Sequence, residues 1–497
     1  MELALKIFQF ILSISILVVL HEMGHFLPAK WFKTRAEKFF LFFDPYFSIF
    51  SMKKINGKWK YKFFSKNLPD TEVIVRIDGK KKEVPIDIDK LPDGDWRKYP
   101  DNTKYGIGWL PFGGYVKIAG MVDESMDVER LKKLAENWEF RAKPAWQRLI
   151  VMAGGVTVNF FLAWIIYSSI MYFKGETIFD ATKIKNEIKY SESAKKIGFE
   201  DGDKILKVDG KVQNDFKKLS IDILLSDSVT VLRNGKEVTF HTKDDGKAEV
   251  LSNKTQAFFL SPRMTARVDT ILTKSAIDAG LKQGDIIKKV DNKPIKFYDE
   301  ITTILDSNSK KIVVLEVDRN GKTQTLDIPL TDGRIGIATY KEQEQYISNK
   351  QYSLLESIPE GFVKSIESLT YQIKSFKLVF SSKVQGYKNV SGPLGIIKQM
   401  PVASDGSSYS IDWVAFWGFT AMFSVWLAFL NLLPIPGLDG GHIIFTLWEM
   451  ITRRPVPQKV LENAQMIGVI FLMGLMLLIF GNDIVKLILG SFIKISL

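Results

Sequence analysis

The chain has 497 residues, more than one ordinary domain, and its 46% hydrophobic content with a mean hydropathy of +0.01 fits membrane spans mixed with polar domains. It contains no cysteine, which excludes disulfides, thiolate metal sites and a cysteine nucleophile, so any metal must be held by His and carboxylate. The net charge of +12 is lysine spread through the polar segments without a compact basic motif; it reads as juxtamembrane and surface charge and argues against nucleic acid as a partner.

The first predicted element is an apolar span over Leu3–Phe26, since a bilayer core of about 30 Å takes about 20 helical residues. Only Lys6 precedes its apolar stretch as a basic residue and no small-x-small cleavage site follows, so it is read as an uncleaved span, not a secretory signal. Its inner end carries Leu20-His21-Glu22-Met23-Gly24-His25-Phe26. On a helix, positions i and i+4 share a face, so His21 and His25 can reach one ion while Glu22 stands beside its open position. With four histidines in the chain, this spacing arises by chance about one time in a hundred or less.

A polar segment, 30–148, comes next. Within it Tyr105–Met121, "YGIGWLPFGGYVKIAGM", alternates apolar residues with Gly and Pro and is too short in apolar run to span. It is expected as a β-hairpin dipping toward the site, where a strand edge would compensate an unwound substrate backbone; a plain surface hairpin is the alternative. No function attaches to the Lys-rich stretch from Met52 to Lys104. A second span is predicted over Leu149–Phe173, with Gly154, Gly155 and Asn159 as helix-packing positions. Beyond it, "SAKKIGFEDGDKILKVDGK" (Ser193–Lys211) returns as "SAIDAGLKQGDIIKKVDNK" (Ser275–Lys293), 82 residues later, a duplication of a small domain. Phe362, Ile366, Leu369, Ile373, Phe376 and Phe380 then form the stripe of an amphipathic helix. A third span, Trp413–Leu433, runs into "LNLLPIPGLDGGH" (Leu430–His442), and a fourth covers Ile467–Phe480.

Basic residues near span ends mark the cytoplasmic side. Lys30, Lys33, Arg35 and Lys38 follow the first span; Arg130, Lys132, Lys133, Arg141, Lys143 and Arg148 precede the second; Arg453, Arg454 and Lys459 join the third to the fourth. Both termini are therefore expected outside, with 30–148 in the cytoplasm and 174–412 outside it. The first and third spans both travel inward, so His21 and Leu430–His442 reach a similar depth. A catalytic zinc takes three protein ligands and a water. Asp439 is the acidic residue at the inward end of the third span, and ionisable residues in spans cost about 2.5–3.5 kcal/mol for Asp at the helix centre and mark function. Pro434, Pro436, Gly437, Gly440 and Gly441 break the helix around it, as backbone lining a cavity allows. Asp439 is the expected third ligand, with His442 as the alternative.

HEMGH in a first span, with N-x-x-P-x-P-x-LDG in a later one (Asn431, Pro434, Pro436, Leu438, Asp439, Gly440), resembles the site-2 protease family of intramembrane metalloproteases. The likeness covers nearly the whole chain, including "GIGWLPFGGYVKIAGMVDES", "KPAWQRLIVMAGGVTVNF" and "SGPLGI". It implies Zn2+ on His21, His25 and Asp439, Glu22 as general base and Asn431 holding the substrate backbone, in a bacterial inner (cytoplasmic) membrane, and it allows Asn159 to lie near the site without a catalytic role. The repeats resemble PDZ domains of the bacterial protease type, which bind peptide ends or obstruct bulky substrates; both readings stand.

The expected fold is thus a polytopic α-helical membrane protein with four transmembrane helices, a cytoplasmic β-hairpin region and two extracytoplasmic PDZ (α+β) domains. Its expected divisions are 1–29 (first span), 30–148 (β-hairpin region), 149–173 (second span), 174–261 and 262–342 (PDZ domains), 343–412 (amphipathic helix region), 413–451 (third span) and 452–497 (fourth span and C-terminus). The expected activity is zinc-dependent cleavage, within the lipid bilayer, of single-span membrane proteins already trimmed by another protease, such as an anti-sigma factor, or of signal-peptide remnants. Two alternatives are a non-enzymatic membrane PDZ scaffold and a membrane-anchored, gluzincin-type metalloprotease whose cytosolic site takes Glu449 or Glu462 as third ligand.

Overall fold

In lipid a backbone can satisfy its polar groups only internally, so long apolar runs become helices. The computed structural model describes residues 1–67, 72–77, 80–85, 90–92, 94–121, 134–184, 188–252, 259–306, 311–339, 346–384, 390, 392–404 and 408–495. Arg130, Lys132 and Lys133, used above for orientation, lie outside the described residues, as do 122–125 and Ser391 of the quoted motifs and the expected domain end at 342. The chain divides into two units, Met1–Lys174 with Tyr352–Gln372 and Ser391–Leu497, and Gly175–Gln351 with Ile373–Val390.

The first unit begins with α1 (Glu2–Trp31), then β1 (Ala36–Ile55), β2 (Lys58–Lys66) and β3 (Lys104–Ile118), then α2 (Ala145–Phe173). It takes most of α3 (Leu354–Val379), then α4 (Trp413–Leu432), α5 (Asp439–Thr452) and α6 (Gln458–Ile495). Four of these helices, Glu2–Trp31, Ala145–Phe173, Trp413–Leu432 and Gln458–Val485, are long and apolar enough to cross a membrane. The fourth extends well past both ends of the predicted span.

On α1, the buried residues Gln9, Ser13, Leu17, His21, His25 and Ala29 recur every four residues and turn one stripe inward. On α2, Val151, Gly155, Asn159 and Ala163 do the same. The two stripes meet where glycine faces glycine. A Cβ on Gly24 would stand 2.4 Å from the Gly154 carbonyl oxygen, and one on Gly154 would stand 1.9 Å from that of Gly24, so only bare backbone permits the approach. Ser13 and Thr420 share a buried hydrogen bond of 3.0 Å between α1 and α4.

The sheet runs β2–β1–β3. β3 is one long strand, not the hairpin expected from its glycines: its partner is β1, and residues 38–41 of β1 stand opposite both 104–107 and 114–117. Gly106 and Gly108 permit this crowding, because a Cβ there would lie 2.6 Å from the Phe50 carbonyl oxygen and 2.1 Å from that of Phe43. Among the described residues, the strand pairing of 114–118 is with β1.

The second unit holds two lobes with separate cores, one around Ile197, Leu219, Ile223 and Val231, the other around Ile287, Ile301, Val313 and Leu315. Their elements correspond in order: helices Glu192–Ile197 and Lys274–Asp278, strands Lys204–Val208 and Ile286–Val290, helices Phe216–Leu225 and Tyr298–Asp306. Each lobe buries the aspartate of its repeat against an arginine. Arg233 donates to Asp203 and to the Gly198 carbonyl, and Arg319 to Asp285 and to the Gly280 carbonyl. Ile347–Lys350 pairs with Glu176–Phe179, so a strand from the 343–412 segment joins the first lobe.

Candidate metal centre

His21 and His25 lie on the inward stripe of α1, 8% and 6% exposed. Asp439 begins α5, just past a break in which Gly437 takes φ +101° and Pro436 abuts α6. A Cβ on Gly468 would lie 1.5 Å from the Pro436 carbonyl oxygen, so this glycine of α6 lets the broken segment settle against the bundle. The carboxylate thereby reaches both imidazoles.

The three donor atoms form a nearly equilateral triangle. His21 Nε2 lies 3.3 Å from His25 Nε2 and 3.4 Å from Asp439 Oδ2, and His25 Nε2 lies 3.3 Å from Asp439 Oδ2. Zinc with ligands at about 2.0–2.1 Å in a tetrahedron requires donor separations of about 3.3–3.4 Å. Asp439 Oδ2 is buried and has no hydrogen-bond donor of its own, as befits an oxygen aimed at a cation. His and carboxylate donors are also the types zinc takes when thiolate is absent. The residues fit the ion.

The other candidate ligands sit elsewhere. His442 lines the same cavity but is not in the three-donor group. Glu449 is paired with Arg148, and Glu462 accepts from Gln458 Nε2 at 2.8 Å. Asn431, at the end of α4, brings its amide nitrogen 3.4 Å from His21 Nε2. Glu22 lines a cavity of about 900 Å3 with His21, His25, Asp439 and Asn431. Residues 113–118 of β3 form another wall, with the Val116 N–H turned toward the Glu22 carboxylate.

Two hydrogen-bond partners of the histidines were not assigned from the sequence. His25 Nδ1 donates to the Val151 carbonyl at 2.8 Å, an interaction no side-chain pattern announces. Asn159, read from the sequence as a helix-packing position and placed near the site only by the resemblance, is fully buried with its amide nitrogen 3.1 Å from His21 Nδ1. The signal for it was the four-residue spacing of Val151, Gly155 and Asn159, which matches that of the two histidines.

A glutamate beside a His/His/carboxylate triangle, inside a bundle of membrane-length helices, defines a class: the peptidases of membranes. The chain belongs to peptidase family M50, whose model matches residues 9–66 and 96–475. It is 25% identical over 503 residues to a Vibrio cholerae protein named "Putative zinc metalloprotease", covering 96% of this chain and 98% of the relative. It is 26% identical over 506 residues to the regulator of sigma E protease of Haemophilus influenzae, and 25% identical over 505 residues to regulator of sigma-E protease RseP of Escherichia coli. Each of those two matches also covers 96% of this chain and 98% of the relative.

Proposed function

We propose that this peptidase is an intramembrane zinc endopeptidase that cuts the spans of single-pass membrane proteins near the cytoplasmic face. The donor triangle carries the reading. His21, His25 and Asp439 would hold zinc, which when bound lowers the pKa of a water to about 7 and polarises the scissile carbonyl. Glu22 takes the proton of the attacking water and gives it to the leaving amine, so the carboxylate ends the cycle unprotonated. Asn431 offers its amide N–H groups to the substrate backbone beside the reacting carbonyl.

A transmembrane helix hides its peptide bonds behind side chains and its own hydrogen bonds, so it must unwind before it can be cut. The strand at 114–118, in the wall of the cavity that holds Glu22, supports a route: an extended substrate lies along it, and its freed N–H and C=O groups find partners next to Glu22. The basic span ends support a cytoplasmic depth for this site, with the duplicated lobes outside as PDZ domains in a bacterial inner membrane. They bind trimmed substrate ends or exclude bulky ones; prior trimming by another protease suits either. Substrates of the anti-sigma-factor type agree with the names of the sigma-E relatives.

The test is purified protein with a model single-span substrate. Wild type should carry one zinc and cleave, and a chelator should abolish cleavage until zinc is restored. Glu22→Gln should keep the zinc and lose at least a hundredfold in rate, within the range of general acid–base catalysis of about 10²–10⁴. A zinc-loaded, fully active Glu22→Gln protein would remove Glu22 from its role, and a metal-free, active wild type would remove zinc.

A further inference from the structure

We propose that Asn159 is a positioning residue that fixes the tautomer of His21, so that α2 aims both imidazoles at the metal. This rests on the zinc reading above and goes beyond it, because it assigns a task to a residue on a helix that supplies no ligand. An imidazole presents the lone pair of Nε2 only when its proton sits on Nδ1, and the partner of Nδ1 decides which nitrogen is protonated. For His25 that partner is the Val151 carbonyl, which can only accept, so Nδ1 carries the proton and Nε2 is free. One helical turn back along α1, His21 meets a residue eight positions further along α2, Asn159. Between them Gly155 presents bare backbone to both rings, its missing Cβ leaving room that His25 Nε2 would contest at 2.4 Å and His21 Cε1 at 2.5 Å.

The carboxamide can meet His21 in two orientations of nearly the same shape. With its nitrogen toward the ring it donates to Nδ1, which puts the imidazole proton on Nε2, pointing into the donor triangle; Asn159 Oδ1 is then buried without a partner. With its oxygen toward the ring it accepts from Nδ1–H, and the Nε2 lone pair faces His25 Nε2 and Asp439 Oδ2. Only the second orientation suits a ligand. The Asn159 backbone is itself held, since Ser424 of α4 donates to its carbonyl at 2.7 Å. Loss of such an acceptor behind a metal-bound histidine weakens metal affinity by about 10–100-fold.

The experiment measures zinc affinity, by competition with a chromophoric chelator, for wild type, Asn159→Leu, Asn159→Ala and Asn159→Asp, with circular dichroism as a check on folding. Leu and Ala remove the acceptor, one keeping the volume and the other not; Asp keeps an acceptor that cannot turn over. The expected result is a 10–100-fold loss in both Asn159→Leu and Asn159→Ala and affinity within about threefold of wild type in Asn159→Asp. Wild-type affinity in a folded Asn159→Leu or Asn159→Ala protein overturns the proposal. So does an equal loss in all three variants, which is what a packing role predicts. Zinc-free wild type would be a different failure, that of the zinc reading itself.

Discussion

Gly155 lacks a side chain because two imidazoles occupy the space one would need. A Cβ there falls 2.4 Å from His25 Nε2 and 2.5 Å from His21 Cε1, distances that force both rings to move. Gly155→Ala should therefore lose at least tenfold in zinc affinity while its helix, with a better helix former, stays intact; the zinc titration and far-ultraviolet dichroism read the two effects separately. Gly474 on α6 provides the contrast. A Cβ at that position meets nothing within 4 Å, so Gly474→Ala should leave zinc binding and cleavage unchanged and raise stability by up to about 1 kcal/mol, measured in detergent by thermal unfolding. At this scale the meeting of the His21 and His25 rings beside Glu22 was legible because an i, i+4 spacing sets both rings on one face of a single helix. The Val151 carbonyl was not, since every residue has one and only packing decides which is used.

Among the elements, β3 departs most from expectation. Its alternation of apolar residues with glycine announced extended backbone near the site, and the glycines suggested a turn. They serve instead to let β1 crowd against the strand along its length, at Phe50 and Phe43. That arrangement sets residues 114–118 along the start of β1 and in the wall of the cavity. Val116→Pro should remove from the cavity wall the N–H turned toward Glu22, so zinc stoichiometry should hold while substrate cleavage falls at least tenfold. Equal cleavage rates for Val116→Pro and wild type would detach the strand from substrate handling. The α4–α5 break is the other decisive element. Its prolines and glycines forecast irregular backbone, but the seat for Pro436 is made by Gly468, a residue of α6 that no local pattern ties to it.

The whole molecule comprises two units with separate cores, one containing the donor triangle and the other the duplicated lobes. Damage to one should spare the other. Asp285, 1% exposed at its side chain, is held by Arg319 and caps the turn through the Lys282 N–H at 2.9 Å. Asp285→Ala leaves that arginine without its buried partner and should destabilise the second lobe by about 3–5 kcal/mol, seen as a lowered unfolding transition, with zinc stoichiometry unchanged. Zinc loss in step with lobe unfolding would show that the two units do not behave separately.

The sequence by itself determined the membrane-length helices, the duplication, the HEMGH histidine pair and the aspartate in its broken helix. Each of these is written in local periodicity or in the cost of an ionisable or helix-breaking residue in an apolar run. Only the tertiary structure decided that Asp439, and neither His442, Glu449 nor Glu462, joins the histidines, and that α2 stands behind both rings. Those outcomes depend on how closely helices remote in the chain can approach, which is set by glycine facing glycine and by a carbonyl resting on a bare Cα.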